Sequence, residues 1–254
     1  MKNFLFISCL FCIAPFAIAQ KDSCGTSKFD HIVFFVSDSS IERTLGSVLN
    51  IGELLTAHHV NQGTISHFYL FYNTFLEFIY PVDTSVISLN SKNLGSDYLQ
   101  RWNSNEKVCR LGIGQINIPF DSTCSDFHTY HSKDNSGYYL MSINNVYASD
   151  VFLYSSDTLH AHKSIESLKD YEHIIPPEFV KDFKTYTTHP SGVKKLTKLI
   201  IFKPDLEHSS NFEAISEFEI IEIKKGEGFK YILEFDKKKQ NKILLIEDWL
   251  EIRY

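Results

Sequence analysis

The sequence predicts an α+β fold made of repeated βαβββ modules, each a strand, a helix and three further strands. Three observations predict it. Residues 28–82 read as a complete module, residues 107–155 carry a second set of similar elements, and residues 193–254 echo the first module in degenerate form.

The first module opens with Phe29-Asp30-His31-Ile32-Val33-Phe34-Phe35-Val36, a run apolar enough for a buried strand. Ser37-Asp38-Ser39-Ser40 then offers several caps for a helix in which Ile41, Leu45, Val48 and Leu49 recur at helical spacing, until Asn50 and Gly52 stop it. Three strands follow, around Leu54 to Val60, Ile65 to Tyr72 and Phe75 to Val82, the last two turning at Asn73-Thr74. Asp83 to Glu106 reads as a polar connection. In the second module Arg110 to Ile118 reads as a strand, Asp121 to His131 as a helix, and Gly137 to Ile143 and Val151 to Tyr154 as strands. A linker from Ser155 to His189 carries Pro176-Pro177 and a short helix, Glu178 to Lys184.

The tail aligns with the start. Asp30 to Asp38 matches Thr197 to Asp205, and the hairpin Phe68 to Tyr80 matches Lys242 to Tyr254, which sets Lys198 opposite His31 and Glu251 opposite Glu77. Three modules do not pair evenly. Either the first closes on the second, or it closes on the third with the middle one as an insertion.

The first nineteen residues stand apart from the fold. Met1-Lys2-Asn3 is a short positive start, Phe4 to Phe16 an apolar core, and Ala17-Ile18-Ala19 a small-x-small cleavage site, the pattern of a secretory signal peptide. The expected protein is therefore exported after cleavage near Ala19 and has no membrane span once the leader is removed. Cys24, Cys109 and Cys124 remain, and export favours one disulfide among them without saying which pair. A net charge of −6 gives no reason to expect nucleic acid, whose backbone demands basic patches. Lys237-Lys238-Lys239 reads as a solvated hairpin turn. The absence of Gly-x-Ser-x-Gly, His-Glu-x-x-His and glycine-rich phosphate loops argues against a hydrolase.

Two polar residues sit inside apolar strands. His31 shares a face with Phe29, Val33 and Phe35 by the strand's period of two, and Glu77 lies within Phe75-Leu76-Glu77-Phe78-Ile79-Tyr80. A buried carboxylate costs several kcal/mol unless a cation or hydrogen-bond donors meet it. The two residues either satisfy each other and the backbone, or form half of a site for a divalent ion, since imidazole plus carboxylate suits Zn, Fe, Mn or Ni. His59 begins His59-x-x-x-Gly63-Thr64, where it is either an ordinary edge-strand histidine or a general base facing a cavity.

These residues resemble the glyoxalase-like branch of the vicinal oxygen chelate superfamily. The likeness rests on the opening Asp30-His31-Ile32-Val33 strand, His59-x-x-x-Gly63-Thr64, Phe75-Leu76-Glu77, Arg101-Trp102 and His189-Pro190-Ser191-Gly192-Val193, in that order. It implies paired βαβββ modules forming curved half-barrel sheets around a cavity, and a metal-dependent lyase, isomerase or dioxygenase. One divalent ion (Zn, Ni, Mn or Fe) would be held by His31 and Glu77, with His59 or Tyr69 assisting and Thr64, Phe75, Lys198 and Glu251 lining the substrate cavity. Lys198 departs from that pattern, because a protonated lysine repels a cation, and Glu251 is expected to pair with it. The alternative is a metal-free binding protein that uses the same cavity for a small aromatic or oxygen-rich ligand. The sequence leaves the oligomeric state open.

Overall fold

The computed structural model describes residues 27–46, 55–59, 61–96, 98–103, 105, 107–116, 126–131, 138–156 and 177–254. The leader, Cys24, Cys124, the expected helix end from Val48 to Gly52 and the expected helix start at Asp121 lie outside these residues.

Strands β1 (Lys28–Phe35), β2 (Leu55–His59), β3 (Thr64–Leu70), β4 (Phe75–Pro81), β5 (Leu111–Ile116), β6 (Phe127–His131), β7 (Tyr138–Ser142) and β8 (Phe152–Ser156) form one sheet in the order β2-β3-β4-β1-β5-β8-β7-β6. β1 runs parallel to β4 and β5 parallel to β8, while β1 and β5 meet antiparallel at the centre. Strand pairing thus joins the first group of strands to the second, not to the tail.

Two expectations from the sequence change here. Phe127 to His131, read as part of a helix, is strand β6, as its run of aromatic and β-branched side chains favours. Helix α1 spans Ser40–Thr44, and the polar connection after β4 contains helix α2, Thr84–Leu94. The Asp83 side chain caps α2 by accepting from the backbone N–H groups of Ser85 and Val86 at 3.0 and 3.2 Å, and Gly95 closes it in a left-handed conformation (φ 56°). Gly63 holds the start of α2 in place. Its φ is 75°, a Cβ there would stand 2.4 Å from the Asp83 carbonyl, and its own carbonyl accepts from Val82 and Asp83.

A second sheet follows helix α3 (Pro177–Thr187). It contains β9 (Leu196–Lys203), β10 (Ile221–Lys225), β11 (Lys230–Phe235), β12 (Ile243–Glu247) and β13 (Leu250–Arg253), in the order β10-β9-β11-β13-β12, with helix α4 (Ser210–Ile215) between β9 and β10. The parallel partner of β13 is β11, whereas that of β4 is β1, so the tail does not repeat the strand order of the first half. Nor is the lysine run a hairpin turn, because β13 lies between the two strands it connects.

Alternation along the strands gives the larger sheet two faces. On the back, Ile32, Phe34, Leu76, Phe78, Leu111 and Leu153 pack against Leu199, Ile201, Tyr231, Leu233 and Ile252 of the second sheet. On the front, Val33, Phe35, Ile79 and Phe152 are covered by Ile87 and Leu94 of α2 and by Tyr98 of the short helical turn Tyr98–Trp102. The remainder of this front face carries the polar residues considered below.

A buried polar network ties the sheets together. Arg101, fully buried, donates to the carbonyls of Asp150 (2.8 Å), Tyr147 (3.2 Å), Cys109 (3.3 Å) and Asn145 (3.4 Å). The Asp150 carboxylate in turn accepts from the backbone N–H groups of Asn211 and Phe212 in α4, at 2.9 and 3.1 Å. Burial pushes the Asp150 pKa up while those donors and Arg101 oppose it. Cys109 is a free thiol at the same interface, pushed up to about 11 chiefly by burial.

Candidate functional site

The site starts from an irregularity in β1. Phe29 pairs with Gln115 and His31 with Gly114, so two steps on β1 face one step on β5 and Asp30 is the extra residue of a bulge. The strict alternation expected from the sequence fails here, and Phe29 turns to the back, where its ring meets Phe218 edge-on. The bulge also lets two consecutive side chains meet. His31 Nδ1 lies 2.6 Å from Asp30 Oδ2, with both residues at least 95% buried.

The His31 ring is fixed on its other sides as well. It stacks on Phe75 at 4.0 Å and 14°, and it lies over Gly114, where a Cβ would come within 2.2 Å of the ring. Its Nε2 is in short hydrogen-bond contact with the Tyr154 hydroxyl. Burial, then the negative charge of Glu77, raises the Tyr154 pKa well above the usual phenol value, so Tyr154 keeps its proton. Asp30 Oδ2 and the Tyr154 hydroxyl thus engage the two ring nitrogens of His31, one each.

Glu77 lies on the same face, opposite Val33 of β1 and Phe68 of β3. Its Oε1 accepts the Ser66 hydroxyl proton at 2.6 Å, and the Ser66 oxygen accepts from His59 Nε2 at 3.1 Å. Because serine has one proton and gives it to the carboxylate, His59 must be the donor in the outer bond. Tyr98 closes this side, its pKa raised first by burial and then by the Glu77 charge.

The structure therefore gathers His31, Glu77, His59 and Phe75 on one face. Thr64 shares that face further along β3, with its hydroxyl buried and lacking a hydrogen-bond partner among the described residues. The other expected residues lie elsewhere. Tyr69 is one step out of phase with Glu77's partner Phe68, so it enters the back core against Phe78. Lys198 and Glu251 lie on the outer side of the second sheet, since their neighbours Leu199 and Ile252 face the inner core. They do not pair with each other. Lys198 bonds Glu222 at 3.0 Å, and Glu251 bonds Arg253 and Lys230 at 2.5 and 3.1 Å. Burial disfavours the Glu251 carboxylate, yet those two cations outweigh it and hold its pKa below the usual value.

The resemblance implies a divalent ion at His31 and Glu77. No group of three or more His, Cys, Asp or Glu residues among the described residues is arranged to hold a metal ion. One His31 nitrogen faces Asp30 and the other faces Tyr154, so both are engaged within the protein. As arranged, the pair does not fit a metal site, which needs three or four converging donors.

Sequence reasoning missed Asp30, Ser66 and Tyr154. The glycines of Leu111-Gly112-Ile113-Gly114 were the available signal, because glycine inside a strand marks the close approach of another group.

No protein-family model matches the chain, and no curated protein matches it in sequence. Among solved structures the chain is similar to a hypothetical protein from Staphylococcus aureus, at 11% identity and a TM-score of 0.53 over 90% of this chain and 98% of that one. Methylmalonyl-CoA epimerase from Mycobacterium tuberculosis matches at 10% identity and a TM-score of 0.34, over 51% of this chain and 87% of that one. A hypothetical protein from Bacillus halodurans C-125 matches at 13% identity and a TM-score of 0.34, over 56% of this chain and 100% of that one. At such identities the likeness that extends over most of this chain speaks to fold alone.

Proposed function

We propose that the protein is a small-molecule enzyme that uses the front face of its larger sheet for proton transfer, with side chains in place of a metal ion at His31. The observation that carries this reading is the series Asp30, His31 and Tyr154, each hydrogen-bonded to the next, beside Glu77. In the proposed step Tyr154 takes a proton from the ligand while passing its own to His31 Nε2. The resulting imidazolium is stabilised by Asp30, the role a carboxylate plays behind a catalytic histidine. Glu77, backed by Ser66 and His59, receives a hydrogen-bond donor of the ligand. The same face serves equally for binding without turnover, and Phe75 stacked on His31 favours a planar or aromatic ligand in either case.

The leader makes export part of the proposal, with cleavage near Ala19. A panel of small molecules screened by thermal shift on the mature protein, with and without chelator, tests the functional reading. Hits are expected to survive chelation, and both His31→Ala and Tyr154→Phe should abolish turnover of any hit that reacts. Stoichiometric Zn, Ni, Mn or Fe that disappears in His31→Ala would overturn the metal-free assignment. Hits whose binding and turnover ignore both variants would overturn the site.

A further inference from the structure

Glu77 is a half-buried carboxylate of the front face, and its surroundings differ from those of the buried acids. Asp30 meets His31, Asp150 meets the α4 amides and feels the charge of Arg101, Glu234 meets Arg253 and Lys238, and Glu251 meets Arg253 and Lys230. Among the described residues Glu77 has no ion-pair partner at all. Among the described residues its one hydrogen bond, from Ser66, occupies Oε1 and leaves Oε2 without a partner. The groups around it are rings: Phe68 is its neighbour across β3, Tyr98 and Tyr154 lie close enough to feel its charge, and the stacked pair of Phe75 and His31 stands on the adjoining strand positions.

A partly exposed carboxylate with one donor and no ion pair keeps an oxygen open to a cation, and the rings beside it favour an organic one. A divalent metal demands several anionic or imidazole donors, which this spot lacks, whereas an organic ammonium needs one carboxylate and the negative faces of aromatic rings. Resting on the functional reading above, we propose that the ligand of the front face carries an ammonium group, which docks between Glu77 Oε2 and the rings of Phe68, Tyr98 and Tyr154. This assigns the ligand class: a small organic amine, primary or alkylated, whose remaining part reaches Tyr154.

The probe is tetramethylammonium chloride, titrated calorimetrically into the mature protein in the presence of chelator, with tert-butanol as the neutral counterpart of similar shape. Saturable binding of tetramethylammonium is expected, with at least a tenfold loss in Glu77→Gln, a smaller loss in Tyr98→Leu, and no saturable binding of tert-butanol. Circular dichroism and the thermal midpoint establish that each variant is folded. Equal affinity in wild type and a folded Glu77→Gln overturns the ammonium subsite, as does tert-butanol binding as well as the cation. If instead neutral hits from the small-molecule screen bind and respond to Tyr154→Phe while tetramethylammonium does not bind, this subsite fails and the proton-transfer reading stands. If the screen's hits ignore His31→Ala and Tyr154→Phe, the functional reading itself has failed.

Discussion

Gly114→Ala is the sharpest test of how His31 is held. The added Cβ would stand 2.2, 2.5 and 2.7 Å from His31 Cε1, Nδ1 and Nε2, against an ordinary contact of at least 3.4 Å. The ring must therefore move by about 1 Å, because overlap on this scale cannot be absorbed by small adjustments in a close-packed interior. That shift breaks the 2.6 Å contact with Asp30, disturbs the stack on Phe75 and pulls Nε2 from Tyr154. Overpacking costs about 1–3 kcal/mol, and a weakened hydrogen bond to a charged group adds about 1–2 kcal/mol. Gly114 has no positive φ, so alanine brings no backbone strain and returns about 0.5 kcal/mol, the usual glycine-to-alanine gain. The expected net loss is about 2–4 kcal/mol, read as a lower urea midpoint at unchanged slope. Combining it with His31→Ala should recover most of the steric part, giving a coupling of about 1–3 kcal/mol in the double-mutant cycle. A Gly114→Ala protein as stable as wild type, or costs that simply add, would refute the placement of the ring over Gly114.

Two further outcomes follow from the buried polar groups. Arg101→Met should cost about 3–5 kcal/mol, measured by chemical denaturation, because it strips four main-chain carbonyls of their donor and removes a positive charge that opposes the effect of burial on Asp150. His189 is buried, donates from Nε2 to the Leu70 carbonyl at 2.8 Å, and has its pKa lowered by burial against the opposing effect of that bond. The folded state therefore takes up a proton less readily than the unfolded state, whose histidine titrates near its ordinary value. Its contribution is intact above about pH 6.5 and is lost as the pH falls below it. Urea midpoints between pH 7.5 and 5 should fall, and His189→Gln should remove that part of the slope.

Much of the larger sheet was legible in the sequence because strands buried on both faces announce themselves by unbroken apolar runs, as Phe29 to Val36 and Phe75 to Val82 do. His31, Glu77 and Phe75 were found for a related reason, since polar groups stranded in such runs need partners. Helix α2 escaped notice because its ends are set by Asp83 and Gly95 while its exposed Leu89 blurs the apolar stripe. Asp30 and Tyr154 escaped because a bulge breaks the period of two and because their partner lies, for Tyr154, 123 residues away. The apparent repeat of the tail misled for the same reason as the lysine at position 198: similar hydrophobic patterns encode similar strands, but strand order is decided by long-range pairing.

The packing of the second sheet against the back of the first has a consequence for synthesis. The apolar back of β1, β4, β5 and β8 is complete long before β9 to β13 leave the ribosome, and until then it has nothing to rest on. A nascent chain halted before Leu196 would therefore present a sticky sheet to its surroundings. Whatever machinery handles this polypeptide must shield that surface until the carboxyl-terminal strands arrive to cover it.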